Sequence, residues 1–168
     1  RTCAVNLLKV SGALRLLSSG PDAGLGELQL PRRQAGSSAM PGKVNPVIPE
    51  AVSQVALLVS GHDSTIAVAA GLGSLELNAF FPLIADCLLQ SLSLLAHADE
   101  ILRRFCVEGL EADEERCAAH VRASSAAATA LVPEIGYEAA CDVVRAAEAE
   151  GATIRDVVVA RGLLTAAQ

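Results

Sequence analysis

The segment from Phe81 to Cys106 places the tightest constraint on what this chain can fold into. Leu83, Ile84, Leu88, Leu89, Leu92, Leu94, Leu95, Ile101 and Leu102 fill it, and their spacing predicts one long helix starting at about Asn78 or Phe81, with Pro82 in its first turn. At a rise of about 1.5 Å per residue, such a helix spans about 40 Å. Its apolar residues occupy more than one face, so it must be covered on several sides. A chain of 168 residues can hardly supply that cover by itself. Burial between subunits is the expected solution.

Other helices follow from the same periodicity. Leu7, Val10, Leu14 and Leu17 recur at three- and four-residue spacings, so the chain begins inside a helix that stops at Ser18-Ser19-Gly20-Pro21. Lys9 and Arg15 read as solvated helix charges. From Asp22 to Gln34, Gly24, Gly26 and Pro31 predict a loop. A second helix starts near Pro46-Val47-Ile48-Pro49-Glu50, shows one apolar face in Val52, Val55, Ala56 and Val59, and runs to Ala70. Gly61 marks a kink or a close helix contact within it.

Beyond Gly109 the composition shifts to alanine and charge, which predicts two domains, residues 1–108 and 109–168. In the second, a helix is expected from Asp113 to about Leu131 and another from Tyr137 to Glu150. A third opens at Thr153-x-x-Asp156, a capping-box pattern. Thr165-x-x-Gln168 repeats that pattern where the chain stops, so both ends read as cut and the second domain as truncated.

Composition excludes several functions. Hydrophobic residues make up 52% and aromatics only 2%, which favours close-packed helices over a β-sandwich. A net charge of −6, with no run of Lys or Arg, argues against nucleic-acid binding. Cys3, Cys87, Cys106, Cys117 and Cys141 show no C-x-x-C spacing and read as reduced thiols of a cytoplasmic protein. His62, His97 and His120 are equally dispersed, so no metal site is expected. His62, Asp63, Glu76, Asp86 and His97 interrupt the apolar stretches, and no membrane span is expected.

One stretch stands apart from the helices: Gly36-Ser37-Ser38-Ala39-Met40-Pro41-Gly42-Lys43-Val44-Asn45-Pro46. Segments of this kind between helices usually only connect. This one gathers two hydroxyls, a cation with three donors and an amide that both donates and accepts, a set suited to a small dicarboxylate. A phosphate loop is excluded: five residues rather than four separate Gly36 from Gly42, Val44 stands where a hydroxyl should meet magnesium, and no strand precedes it. No Gly-x-Ser-x-Gly elbow is present either.

The stretch closely resembles the signature of the fumarase/aspartase superfamily, Gly-Ser-Ser-x-Met-Pro-x-Lys-x-Asn-Pro, at every fixed position. The resemblance extends from Asn6 to Arg161-Gly162-Leu163-Leu164-Thr165. It implies an all-α fold, a long-helix bundle of the fumarase/aspartase type containing the signature loop 34–46, followed by a small helical C-terminal domain. It implies a homotetramer whose active sites combine segments from different subunits, with no organic cofactor. By the same likeness Ser37 is the general base, with Ser38 the alternative. Lys43 and Asn45 hold the substrate α-carboxylate, Ser38 contacts the other carboxylate, and Glu50 orients a histidine from an upstream segment. Other active-site segments, including one bearing a Thr-His pair, are not in these 168 residues, and the chain by itself is expected to be inactive.

Within the superfamily, Gln34-Ala35, Val47-Ile48-Pro49-Glu50 and Gly61-His62-Asp63-Ser64-Thr65 look more like aspartases than class II fumarases. The implied reaction is anti elimination of ammonia from L-aspartate to give fumarate. A class II fumarate hydratase and a noncatalytic oligomerisation module are the alternatives. Two positions depart from the common pattern: Asp22 replaces an arginine, which puts any anion contact there in doubt, and His62 replaces an asparagine.

Overall fold

The computed structural model describes residues 1–20, 23–34, 40 and 43–164. Among them are seven α-helices and two two-residue strands, so the fold is all-α. The chain divides into two compact units, Arg1–Asp113 and Glu114–Gln168.

The first unit is built from α1 (Thr2–Leu17), α2 (Val47–Gly71) and α3 (Phe81–Leu102), with α2 packed against both of the others. The inner face of α1 is small or aliphatic: Ala4 and Leu8 meet Ala56 and Val59 of α2, while Leu7 and Leu14 join the cluster around Val52. Ser11, on the same face, is fully buried, and its hydroxyl has no hydrogen-bond partner among the described residues. Ala56 and Ala98 are small enough for the helix backbones to approach closely, and both are almost fully buried. Val52, Ala98, Leu102 and Cys106 form the densest cluster, at the joint between the start of α2 and the end of α3.

Among the described residues, one side-chain hydrogen bond links α2 to α3. Ser91 donates its one hydroxyl proton to the Cys87 carbonyl at 2.7 Å, so its oxygen is left to accept from His62 Nδ1 at 3.0 Å. His62 therefore carries its proton on Nδ1. The histidine that departs from the common pattern stitches two helices together.

Several expectations need correction. The region 22–34 is not wholly loop: β1 (Leu28–Gln29) pairs antiparallel with β2 (Glu111–Ala112). That pairing carries residues after Gly109 into the first unit. Gly61 neither interrupts α2 nor makes a close contact in this chain, since an added Cβ there would meet no atom within 4 Å. The helix expected from Asp113 to Leu131 is broken at Ser124, whose hydroxyl accepts the Ala126 N–H. A serine bonding its own backbone competes with the helix, and α4 (Glu114–Ala123) gives way to a 3₁₀ segment, Ser125–Leu131.

The α3 helix continues into one π turn, Arg103–Val107, closed by the Glu108 N–H donating to the Arg103 carbonyl at 2.9 Å. By length and composition, Phe81–Val107 is apolar enough to cross a membrane, contrary to the sequence reading, because Asp86 and His97 are too sparse to lower its mean hydropathy much. Leu88, Leu89 and Leu92 are half or more exposed on this chain. Soluble helix assemblies bury such faces between helices as readily as lipid does.

The second unit closes with α5 (Val132–Ile135), α6 (Tyr137–Glu150) and α7 (Ile154–Ala160). Val143, Ala146 and Ala147 of α6 pack against Ile154, Val157 and Val158 of α7, with Ala128 from the 3₁₀ segment. Gly151 ends α6 at φ 63°, a left-handed conformation that glycine adopts without a Cβ clash. Both halves of the Thr153–Asp156 capping box form; the second such pattern, Thr165 to Gln168, lies outside the described residues. The Thr153 hydroxyl and then its backbone N–H hold the Asp156 carboxyl below the ordinary aspartate range. A carboxyl so lowered stabilises the fold above its unfolded pKa, and that contribution is lost as pH falls through the folded value. Asp156→Asn should therefore lower the melting temperature by a few degrees at neutral pH. The difference from the unsubstituted chain should fade below roughly pH 4, as followed by circular dichroism.

Candidate functional site

The described part of the signature runs straight into a helix. Lys43 is exposed, and its backbone N–H donates to the Met40 carbonyl at 3.3 Å. Asn45 is half-buried and its carbonyl accepts the Val47 N–H at 2.9 Å. Pro46 fixes the entry into α2, whose first helical bond is Glu50 N–H to the Pro46 carbonyl at 3.0 Å. Among the described residues, no side chain caps this helix start. Lys43 and Asn45 thus sit just before the positive end of a long helix, which favours an anion there. Ser37 and Ser38 lie outside the described residues, as does Asp22.

Glu50, in the first turn of α2, is half-buried. Within this chain its ionic neighbour is Arg15 of α1, at 3.9 Å between Nη2 and Oε1. Periodicity marked Arg15 only as a solvated charge; nothing in the sequence signals that it lies within reach of Glu50, because the pairing spans two helices.

A small cleft lies where the segment enters α2. Leu30, Pro31 and Arg33 form one side, Asn45 to Pro49 another, and Phe105 and Cys106 the floor. Arg33 donates from Nε to the Phe105 carbonyl at 2.9 Å and from Nη2 to the Arg104 carbonyl at 3.4 Å. Its guanidinium also lies 5.1 Å from the Phe105 ring centre, and that of Arg104 lies 5.4 Å from it. Burial pushes the Cys106 thiol pKa up, and the Arg33 charge pulls it the other way. Among the described residues, no three His, Cys, Asp or Glu side chains group closely enough to hold a metal ion.

Two family models match: "Lyase" over residues 1–61 and "Fumarase C C-terminus" over residues 128–168. The chain is similar to a class II fumarate hydratase of Pseudomonas putida, 47% identical over 165 residues, covering 98% of this chain and 36% of that protein. It is similar also to an aspartate ammonia-lyase of Pseudomonas fluorescens, 50% identical over 161 residues, covering 96% and 34%. Among solved structures, the "fumarate lyase:delta crystallin" of Brucella melitensis superposes with a TM-score of 0.90 at 51% identity, over 98% of this chain and 36% of that one. The chain thus spans about a third of the length of the relatives it matches.

The Arg15–Glu50 pair is long and solvent-exposed, so it should contribute little. Arg15→Gln should change the unfolding free energy by less than about 1 kcal/mol. The difference should shrink further in roughly 1 M NaCl, as measured by urea denaturation at both salt concentrations.

Proposed function

Because the chain belongs to the fumarase/aspartase superfamily, we propose that the protein is an aspartate ammonia-lyase, converting L-aspartate to fumarate and ammonia. The observation that carries this is the complete signature from Gly36 to Pro46, delivering Lys43 and Asn45 to the positive end of α2.

The main obstacle to the reaction is the aci-carboxylate dianion that forms when a proton leaves the carbon beside a carboxylate. Lys43 and Asn45 hold the substrate α-carboxylate and fix the orientation of the substrate, while the charge grows on the other carboxylate, the one beside Cβ that Ser38 contacts, where a preorganised donor is often worth about 3 kcal/mol. Ser37 takes the Cβ proton. The C–N bond then breaks, its electron pair leaves with ammonia, and the Cα–Cβ double bond forms. A serine hydroxyl is a weak base at its ordinary pKa, so Ser37 requires neighbouring amides or cations to stabilise its alkoxide. Ser38 contacts the distal carboxylate, and Glu50 orients a histidine from an upstream segment.

The aspartate preference is supported by Gln34-Ala35, Val47 to Glu50 and Gly61 to Thr65, and by similarity to proteins named aspartate ammonia-lyase. The 47% identity to a fumarate hydratase favours the second reading, hydration of fumarate to malate on the same residues. The exposed apolar face of α3 supports assembly, and the protein is proposed to be a cytoplasmic homotetramer in which α3 is covered by other copies.

The test follows fumarate by its ultraviolet absorbance, using the full-length protein with L-aspartate and L-malate in parallel and the 168-residue chain as control. Fumarate from aspartate alone is expected, with none from the control, and Ser37→Ala should lower kcat by about 10³-fold or more while assembly survives. Fumarate from malate alone moves the assignment to the hydratase, and no product from either substrate leaves a noncatalytic assembly role.

A further inference from the structure

Arg33 is exposed, yet its guanidinium is committed. Two of its nitrogens donate to consecutive backbone carbonyls, Phe105 at 2.9 Å and Arg104 at 3.4 Å, across more than seventy positions of sequence. Those carbonyls sit in the π turn that ends the third helix, where the last oxygens of a helix lack partners of their own and carry the negative end of its dipole. The planar fork of an arginine matches such a pair of acceptors, and the charge strengthens both bonds. Single π turns recur at functional sites.

This attachment has a direction. Arg33 stands three residues before Gly36 and four before Ser37, while the far end of the signature, Asn45 and Pro46, lines the same cleft against Phe105 and Cys106. Cys106 is buried in the cluster that also contains Val52 of α2. Both described flanks of the signature are therefore referred to one rigid body, the end of α3: the downstream flank by packing, the upstream flank by the Arg33 fork. Leu30, packed on the same cluster, and the β1–β2 pairing place the chain up to Arg33, and Arg33 makes the last described attachment before the signature.

We propose that Arg33 is a positioning residue for the lyase reaction, holding the upstream flank of the signature in register with Asn45 and Lys43 by clamping it to the carbonyl end of the third helix. This rests on the lyase reading above. Misplacing a reacting group by about 1 Å can cost about 100-fold in rate. Losing the clamp should therefore act mainly on turnover, because Lys43 and Asn45, which bind the carboxylate, are held from the other flank.

The experiment uses the full-length protein with Arg33→Ala, Arg33→Lys and Phe105→Leu. Arg33→Ala should lower kcat by about 10-fold or more with KM within roughly threefold. Arg33→Lys, with one point-charge donor in place of a fork, should fall between it and the unsubstituted enzyme. Phe105→Leu keeps the backbone carbonyls while losing the ring, and should retain most of the turnover. If Arg33→Ala keeps kcat within about twofold of the unsubstituted enzyme, or changes only its melting temperature, the proposal is overturned. Should Arg33→Ala fail to fold, Arg33→Lys decides by the same kcat criterion at an unchanged melting temperature.

Failure of the functional reading is seen separately, as no fumarate from the unsubstituted protein. In that case tryptic cleavage after Lys43 reports the clamp by itself. Cleavage several-fold faster in Arg33→Ala than in Phe105→Leu supports it, and equal rates overturn it.

Discussion

The joint at which Val52, Ala98, Leu102 and Cys106 meet is the contact on which the first unit depends. It locks the beginning of α2 to the end of α3, and it does so with side chains short enough that the two backbones come close. Burying Val52 and Leu102 contributes about 1.5–3 kcal/mol each relative to leaving them in water. Position matters as much as energy here. The signature ends at the first turn of α2, and the chain before it is bonded to the last turn of α3. One cluster therefore fixes the ground against which both flanks of the signature are placed, and the cleft over Cys106 is the visible seam.

Charge follows the same geometry. The positive end of α2 faces the segment carrying Lys43 and Asn45, while the negative end of α3 is met by Arg33. The negative end of α3 is thus matched to the opposite charge, while the positive end of α2 and Lys43 have the same sign and together favour an anion. Glu50 adds a carboxylate to the first turn of α2, where a negative group is also favoured, with Arg15 beside it. The second unit is held by ordinary local rules: a glycine stop at Gly151, a capping box at Thr153, and an alanine- and valine-lined contact between α6 and α7.

Much of this was legible in the sequence because it depends on near neighbours. The apolar spacing of Val52, Val55, Ala56 and Val59 is a property of one helix, the capping box spans four residues, and Gly151 needs only its own backbone freedom. The misses have a common cause. The β1–β2 ribbon is two residues long on each side and pairs segments more than eighty positions apart, which leaves no periodic signal. Ser124 reads as a tolerable helix residue until its hydroxyl is seen bonded to Ala126 N–H. Arg15 and His62 looked like scattered polar residues and Arg33 carried no signal at all, since their partners, Glu50, Ser91 and the Phe105 carbonyl, lie on other elements.

By itself, the sequence determined the helical class, the order of the helices, the signature and, through its resemblance, the superfamily, because each is written in residue type and short-range spacing. Only the tertiary structure decided that the signature's described flanks both refer to the end of α3, that Arg33 spends its guanidinium on backbone carbonyls, and that His62 donates to Ser91 between helices. Those are pairings between residues remote in the chain. Their geometry depends on how closely two helices approach and where one of them ends, and no single segment encodes either quantity.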